Sequence, residues 1–130
     1  MAGETILVVD DASVNLKLTD IVLRKEGFRV HAVSDAEQAL NALQNVRPSL
    51  VLADIQMPGM DGLEMTRRIK EDPETRSIVV VALTACAMKE DEQKALDAGC
   101  DGYITKPIDT HTLGTRVREY LCLLYTSRCV

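Results

Sequence analysis

Apolar positions in this chain gather into short solid blocks, and the stretches between them carry helical spacing. Ile6-Leu7-Val8-Val9 follows Thr5 and runs into Asp10-Asp11. Leu50-Val51-Leu52-Ala53 runs into Asp54, and Ile78-Val79-Val80-Val81-Ala82-Leu83 runs into Thr84. Unbroken runs of this length predict strands buried on both faces. Arg29-Val30-His31-Ala32-Val33 alternates instead, as a strand with an exposed face or edge would. Gly102-Tyr103-Ile104-Thr105 predicts a short fifth strand ending at Lys106-Pro107.

Helical spacing fills each gap. Val14, Leu18, Ile21 and Val22 form an i, i+4, i+7, i+8 stripe, predicting a helix over about 14–26 with that stripe turned inward. Gly27 stops it in the manner of a left-handed C-cap residue. Ser34-Asp35-Ala36-Glu37 has the capping-box pattern, with Ser34 as N-cap, and Ala36, Ala39, Leu40 and Leu43 mark the face of the helix it opens. Leu63 to about Glu71 predicts a third helix, with Met65 and Ile69 one turn apart and Asp72-Pro73 ending it. Met88 to Ala98 predicts a fourth, with a weak apolar face (Met88, Ala95, Leu96) that lets it shift easily, and Gly99 as its cap. A fifth, about Asp109 to Leu124, buries Leu113, Val117, Tyr120, Leu121 and Leu124. Five strands alternating with five helices predict an α/β fold, a doubly wound five-stranded parallel sheet. The two shorter or polar strands belong at the edges, so the order is 2-1-3-4-5. Its switch point lies between strands one and three, where ligands bind in such sheets.

Length and composition narrow the class. At 130 residues the chain is one domain with room for a full core. A net charge of -5 and a pI near 5.0 argue against a nucleic-acid or anionic-membrane surface. One Phe, three Tyr and no Trp are poor material for stacking bases or a flavin. No apolar run approaches the roughly 20 residues of a membrane span, and the N-terminus has no signal-peptide pattern, so a cytoplasmic protein is expected. Cys86, Cys100, Cys122 and Cys129 make no CxxC pair and no zinc spacing, and read as reduced packing thiols.

The chemistry lies at the strand ends. Strand one delivers Asp10 and Asp11, strand three Asp54, strand four Thr84 and strand five Lys106, all on one edge of the sheet. Singly, each has a bland reading as a turn acid, a strand-end cap or a surface lysine; packing does not account for all of them on one rim. Carboxylates about 4 Å apart repel by roughly 4 kcal/mol at an effective dielectric near 20. A divalent cation offsets that repulsion, and hard oxygen ligands select magnesium. Magnesium takes few carboxylates, which leaves one free to act as a nucleophile. Asp54, on the central strand, is best placed to attack a phosphoryl group and form an acyl phosphate. The metal and Lys106 would neutralise the phosphoryl oxygens, and Thr84 could donate its hydroxyl.

ILVVDD, LVLADIQMPGMDG, VVVALTA and GYITKPI occur in this order. With them the chain resembles the receiver domain of two-component response regulators, over Thr5 to Leu124. Residues 80–108 look most like single-domain regulators of the DivK type and the receivers of hybrid histidine kinases. The resemblance implies the flavodoxin-like receiver fold over residues 1–124 and a phosphorelay switch whose acceptor is Asp54, loaded by a histidine kinase or histidine phosphotransfer protein. It implies Mg2+ held by Asp11, Asp54 and the backbone carbonyl of Gln56, with Asp10 reaching the metal through water. Thr84, Lys106 and the amide of Ala85 would contact the phosphoryl group, Lys106-Pro107 would be cis, and Tyr103 would be the switch aromatic. Gln56 and Cys86, neither acidic nor strongly basic, imply no unusually fast self-hydrolysis of the acyl phosphate. The face made by the fourth helix, fifth strand and fifth helix would change shape and meet a downstream protein target, as a monomer or weak phosphorylation-dependent dimer, with no nucleic acid and no membrane.

Three rivals are weaker. A magnesium-dependent aspartyl phosphatase needs a second Asp two residues after the nucleophile, where this chain has Gln56. A flavodoxin-like cofactor carrier needs a Ser/Thr-Gly phosphate loop after strand one. A degenerate receiver that only docks would lack acceptor-site residues, and all are present. Residues 125–130 carry no pattern and read as a tail, disordered or left from a longer chain. With no output domain after the last helix, output is expected by protein contact, or from a part of a longer chain.

Overall fold

The computed structural model of the chain describes residues 4–54, 62–84, 89–105 and 110–129, with the side chains of 89–92 and 123–129 excepted. Its strands are β1 (Thr5–Val9), β2 (Arg29–Val33), β3 (Leu50–Asp54), β4 (Val79–Thr84) and β5 (Gly102–Thr105), and its helices α1 (Ser13–Lys25), α2 (Ala36–Ala42), α3 (Gly62–Glu71), α4 (Lys89–Ala98) and α5 (Leu113–Cys129). The strands form one parallel sheet in the order β2-β1-β3-β4-β5. That is the expected order, with the alternating and the shortest strand at the two edges.

Alternation along each strand builds two cores. Leu7, Val9, Val51, Ala53, Val80 and Ala82 face one way and pack with Ala36, Ala39 and Leu43 of α2 and its end, Met65 and Ile69 of α3, and Ala95 of α4. Ile6, Val8, Leu50, Leu52, Val81 and Leu83 face the other way, onto Val22 and Leu23 of α1 and Leu113 and Val117 of α5. Every residue of β3 and β4 is buried, which explains why those two read as solid apolar runs. Gly27 (φ 94°) and Gly99 (φ 107°) end α1 and α4. After Gly27 the Phe28 N–H bonds Leu23 O at 3.1 Å and the Gly27 N–H bonds Arg24 O at 3.1 Å. After Gly99 the same pair runs from Cys100 to Ala95 and from Gly99 to Leu96, so both ends close as Schellman motifs.

Three local expectations are corrected. The buried face of α1 is Thr19, Val22 and Leu23, while Val14, Leu18 and Ile21 are exposed, Val14 by 78%. The inner face was hidden by a polar letter: Thr19 sits in the core because its hydroxyl donates to Asn15 O at 2.8 Å, one turn back. At α2 the N-cap is Asp35, not Ser34; its carboxylate accepts from the Gln38 N–H at 2.7 Å, and Gln38 Oε1 accepts from the Ser34 N–H at 3.2 Å. The cap is shifted by one residue, because an aspartate caps at least as well as serine, while the returning bond from Gln38 closes on the residue before the cap. Helix α5 starts at Leu113, after a turn at 110–112, and stays helical to Cys129. After Gly114 no Gly or Pro interrupts it, so 125–129 extend the helix rather than leave it.

Candidate functional site

The C-terminal ends of β1, β3 and β4 lie side by side. Val9 is in register with Ala53, and Asp54 with Leu83. The residues that leave these strands therefore share one rim: Asp10 and Asp11 after β1, Asp54 at the end of β3, and Thr84 at the end of β4. Each strand delivers its polar residue there because the apolar run before it is pinned from both faces.

The three carboxylates converge. Asp10, Asp11 and Asp54 each offer an oxygen within 4.8 Å of the others. Asp10 is fully buried, Asp54 nearly so, and Asp11 exposed. Asp10 Oδ1 accepts from the Ala12 N–H at 2.9 Å, and the Asp10 N–H donates to Val33 O at 3.2 Å, which fixes the turn that leads into α1. Thr84 is buried beside them. Burial lowers the local dielectric and strengthens the mutual repulsion of the acids, so the cluster suits a hard cation bound by oxygen. The fit is to a divalent ion sharing few protein carboxylates: one acid open to solvent, two held in the rim.

Of the other expected site residues, Tyr103 lies on β5, half-buried against the α2–α4 core, and Thr105 pairs with Thr84. Gln56, Ala85, Cys86, Lys106 and Pro107 lie outside the described residues. One contact near the rim escaped the sequence reading. Tyr120 of α5, expected to be core, places its hydroxyl against the backbone of Tyr103. Periodicity registers the ring of such a residue and is blind to its hydroxyl.

Comparison with known proteins agrees with this fold. The response regulator receiver domain family matches residues 6–118. The polar-differentiation response regulator DivK of Brucella anthropi is 36% identical over 118 residues, which cover 91% of this chain and 96% of the relative. The receiver domain of a sensor histidine kinase from Pseudomonas aeruginosa PAO1 superposes with a TM-score of 0.84 at 33% identity, over 92% of this chain and 98% of that one. That structure has a magnesium ion coordinated in its active-site cleft. The receiver domain of a histidine kinase from Syntrophus aciditrophicus gives a TM-score of 0.84 at 31% identity, over 92% and 91% of the two chains.

Proposed function

We propose, on the premise that this chain belongs to the response regulator receiver domain family and is a phosphoacceptor switch of two-component signalling, that Asp54 is the residue that takes up the phosphoryl group. The observation that carries the assignment is the convergence of Asp10, Asp11 and Asp54 within 4.8 Å, with Asp54 on the central strand. A carboxylate oxygen of Asp54 attacks phosphorus, the bond from phosphorus to the donor breaks, and the donor leaves with that electron pair. The donor is a phosphohistidine of a histidine kinase or phosphotransfer protein, or a small phosphodonor.

Asp11, Asp54 and the backbone carbonyl of Gln56 would hold Mg2+, with Asp10 linked through water; the ion supplies charge neutralisation for the phosphoryl oxygens. The acid trio and the magnesium in the similar Pseudomonas receiver support this. Thr84, the Ala85 amide and Lys106 would orient and neutralise the phosphoryl group, in keeping with Thr84 at the buried end of β4. Tyr103 would respond as the switch aromatic and the α4-β5-α5 face would present the altered surface to a downstream protein. The domain would span residues 1–124, with 125–129 continuing its last helix, and its activity would be self-catalysed transfer to and hydrolysis from Asp54 rather than turnover of a substrate. Among the described residues no helix is long and apolar enough to cross a membrane, which is compatible with a cytoplasmic switch.

Incubation with acetyl phosphate and magnesium should add one phosphate to the intact mass, and Asp54→Asn should remove the gain. Repeated hydrolysis of simple phosphoesters by the wild type, with no phosphate retained, would favour the aspartyl phosphatase reading that Gln56 already opposes.

A further inference from the structure

The free edge of β5 is held by a side chain from α5. Gly102 provides the seat: a Cβ there would lie 2.2 Å from Cε1 and 2.5 Å from Cζ of Tyr120. The ring can lie on the strand because that Cβ is missing. Its hydroxyl then reaches the next residue along. Tyr120 donates to the Tyr103 carbonyl at 2.9 Å and accepts from the Tyr103 N–H at 3.4 Å. Arg116 approaches the same carbonyl at 3.5 Å. An edge strand would otherwise offer these groups to water or to another chain. A phenol suits the place because one oxygen both donates and accepts. At the opposite edge Arg24 covers the Val30 carbonyl at 3.0 Å, a bond to the acceptor alone.

This contact sits where two layers meet. The Tyr103 side chain packs with the α2–α4 core, whereas Tyr120 packs with the α1–α5 core. The Tyr103 backbone therefore joins one helix layer to the other around the sheet edge. The strand also touches the site: Thr105 is in register with Thr84 and Tyr103 with Ala82. That pairing gives a displacement of Thr84 a route into β5, and the Tyr120 hydroxyl gives it a route on into α5.

We propose that Tyr120 is a positioning residue whose hydroxyl latches α5 to β5, so that a change in β5 on phosphorylation of Asp54 is carried into the α5 surface. The trigger rests on the phosphoacceptor reading; the latch does not. Coupling through such a contact is established by measurement rather than by proximity.

The test uses the whole chain and two variants, followed by amide NMR. Tyr120→Phe keeps the ring over Gly102 and removes the hydroxyl. The Tyr103 amide should then exchange roughly tenfold faster, the size of one net hydrogen bond, while the Val81 amide in β4 is unchanged. With acetyl phosphate and magnesium, uptake at Asp54 and the response of β5 should persist. The phosphorylation-induced shifts of the Val117, Tyr120-site and Leu121 amides should fall to about half or less of their wild-type size. Gly102→Ala, which displaces the ring, should produce the same loss by another route. Unchanged exchange at Tyr103 in Tyr120→Phe would mean there is no latch. Full α5 shifts in that variant would mean the signal travels through other contacts, and the proposal falls. A wild type that takes up no phosphate overturns the phosphoacceptor reading and the transmission with it, while the exchange measurement still judges the latch.

Discussion

Cys100 sits in the seam between α4 and β5, with Sγ 3.6 Å from the Thr66 hydroxyl. Beside it, Lys70 Nζ donates to Asp101 Oδ2 at 2.8 Å and to Ile78 O at 2.7 Å, and Asp101 Oδ2 also accepts from the Val80 N–H at 2.9 Å. Burial pushes the Cys100 thiol above its ordinary value of 9.0; the Thr66 hydrogen bond lowers it, the Asp101 charge raises it and Lys70 lowers it. A thiol raised on folding ionises more readily in the unfolded chain, so its contribution is complete below the unfolded pKa and is lost as pH climbs toward the folded one. Stability should therefore decline above about pH 8.5–9, by up to about 1.4 kcal/mol per pH unit from this residue. Cys100→Ala should be less stable than the wild type at pH 7 because it opens a small cavity. Its urea midpoint should nevertheless change less between pH 8 and pH 10. Parallel pH profiles for the two proteins would show that the thiol does not titrate in the unfolding reaction. Neither the seam nor the polar tie beneath it could be read from spacing, since Thr66, Lys70 and Cys100 meet through tertiary packing.

Helix α1 teaches the opposite lesson about pattern. Its apolar residues make two stripes, and the more regular one, Val14, Leu18 and Ile21, faces solvent. Apolar residues exposed together on one helix face are candidates for an interaction surface. This one begins just after Asp11 of the acid trio, so on the proposed phosphoacceptor reading a phosphohistidine protein approaching Asp54 would meet it. Val14→Glu with Ile21→Glu should slow phosphotransfer from any histidine-phosphorylated protein that loads the wild type, by roughly tenfold, about the loss of one small hydrophobic anchor. Loading by acetyl phosphate should change little. Equal effects on both donors, followed by stopped-flow or quench assays, would remove α1 from the docking surface. Sequence reading went astray here because amphipathic spacing reports an apolar face without saying what covers it. It succeeded where both faces of an element are covered by the same chain. β1, β3 and β4 are continuous apolar runs because helices lie on either side, and their polar terminators therefore stood out. Helix ends followed local chemistry closely at Gly27 and Gly99 and drifted where two capping residues adjoin, as at Ser34-Asp35.

At the level of the whole molecule, the acid trio is a product of sheet order. Asp10 and Asp11 follow β1 and Asp54 ends β3, distant in sequence and adjacent in the sheet. Unfolding disperses the three carboxylates, so a cation that bridges them binds the folded chain far better than the unfolded one. At a concentration a hundredfold above Kd such binding is worth about 2.7 kcal/mol. For a chain of this length that corresponds to a rise in Tm of roughly 10 °C. Without the cation the same convergence is a source of repulsion, softened for Asp11 by its exposure to solvent. Asp11→Asn should therefore match or exceed the wild-type Tm in a metal-free buffer, and should lose most of the increment that magnesium gives the wild type. Calorimetry of the two proteins with and without magnesium separates the terms. The opposing signs are what distinguish a cation site from a merely structural aspartate, whose replacement would lower Tm in both buffers and leave the magnesium increment intact.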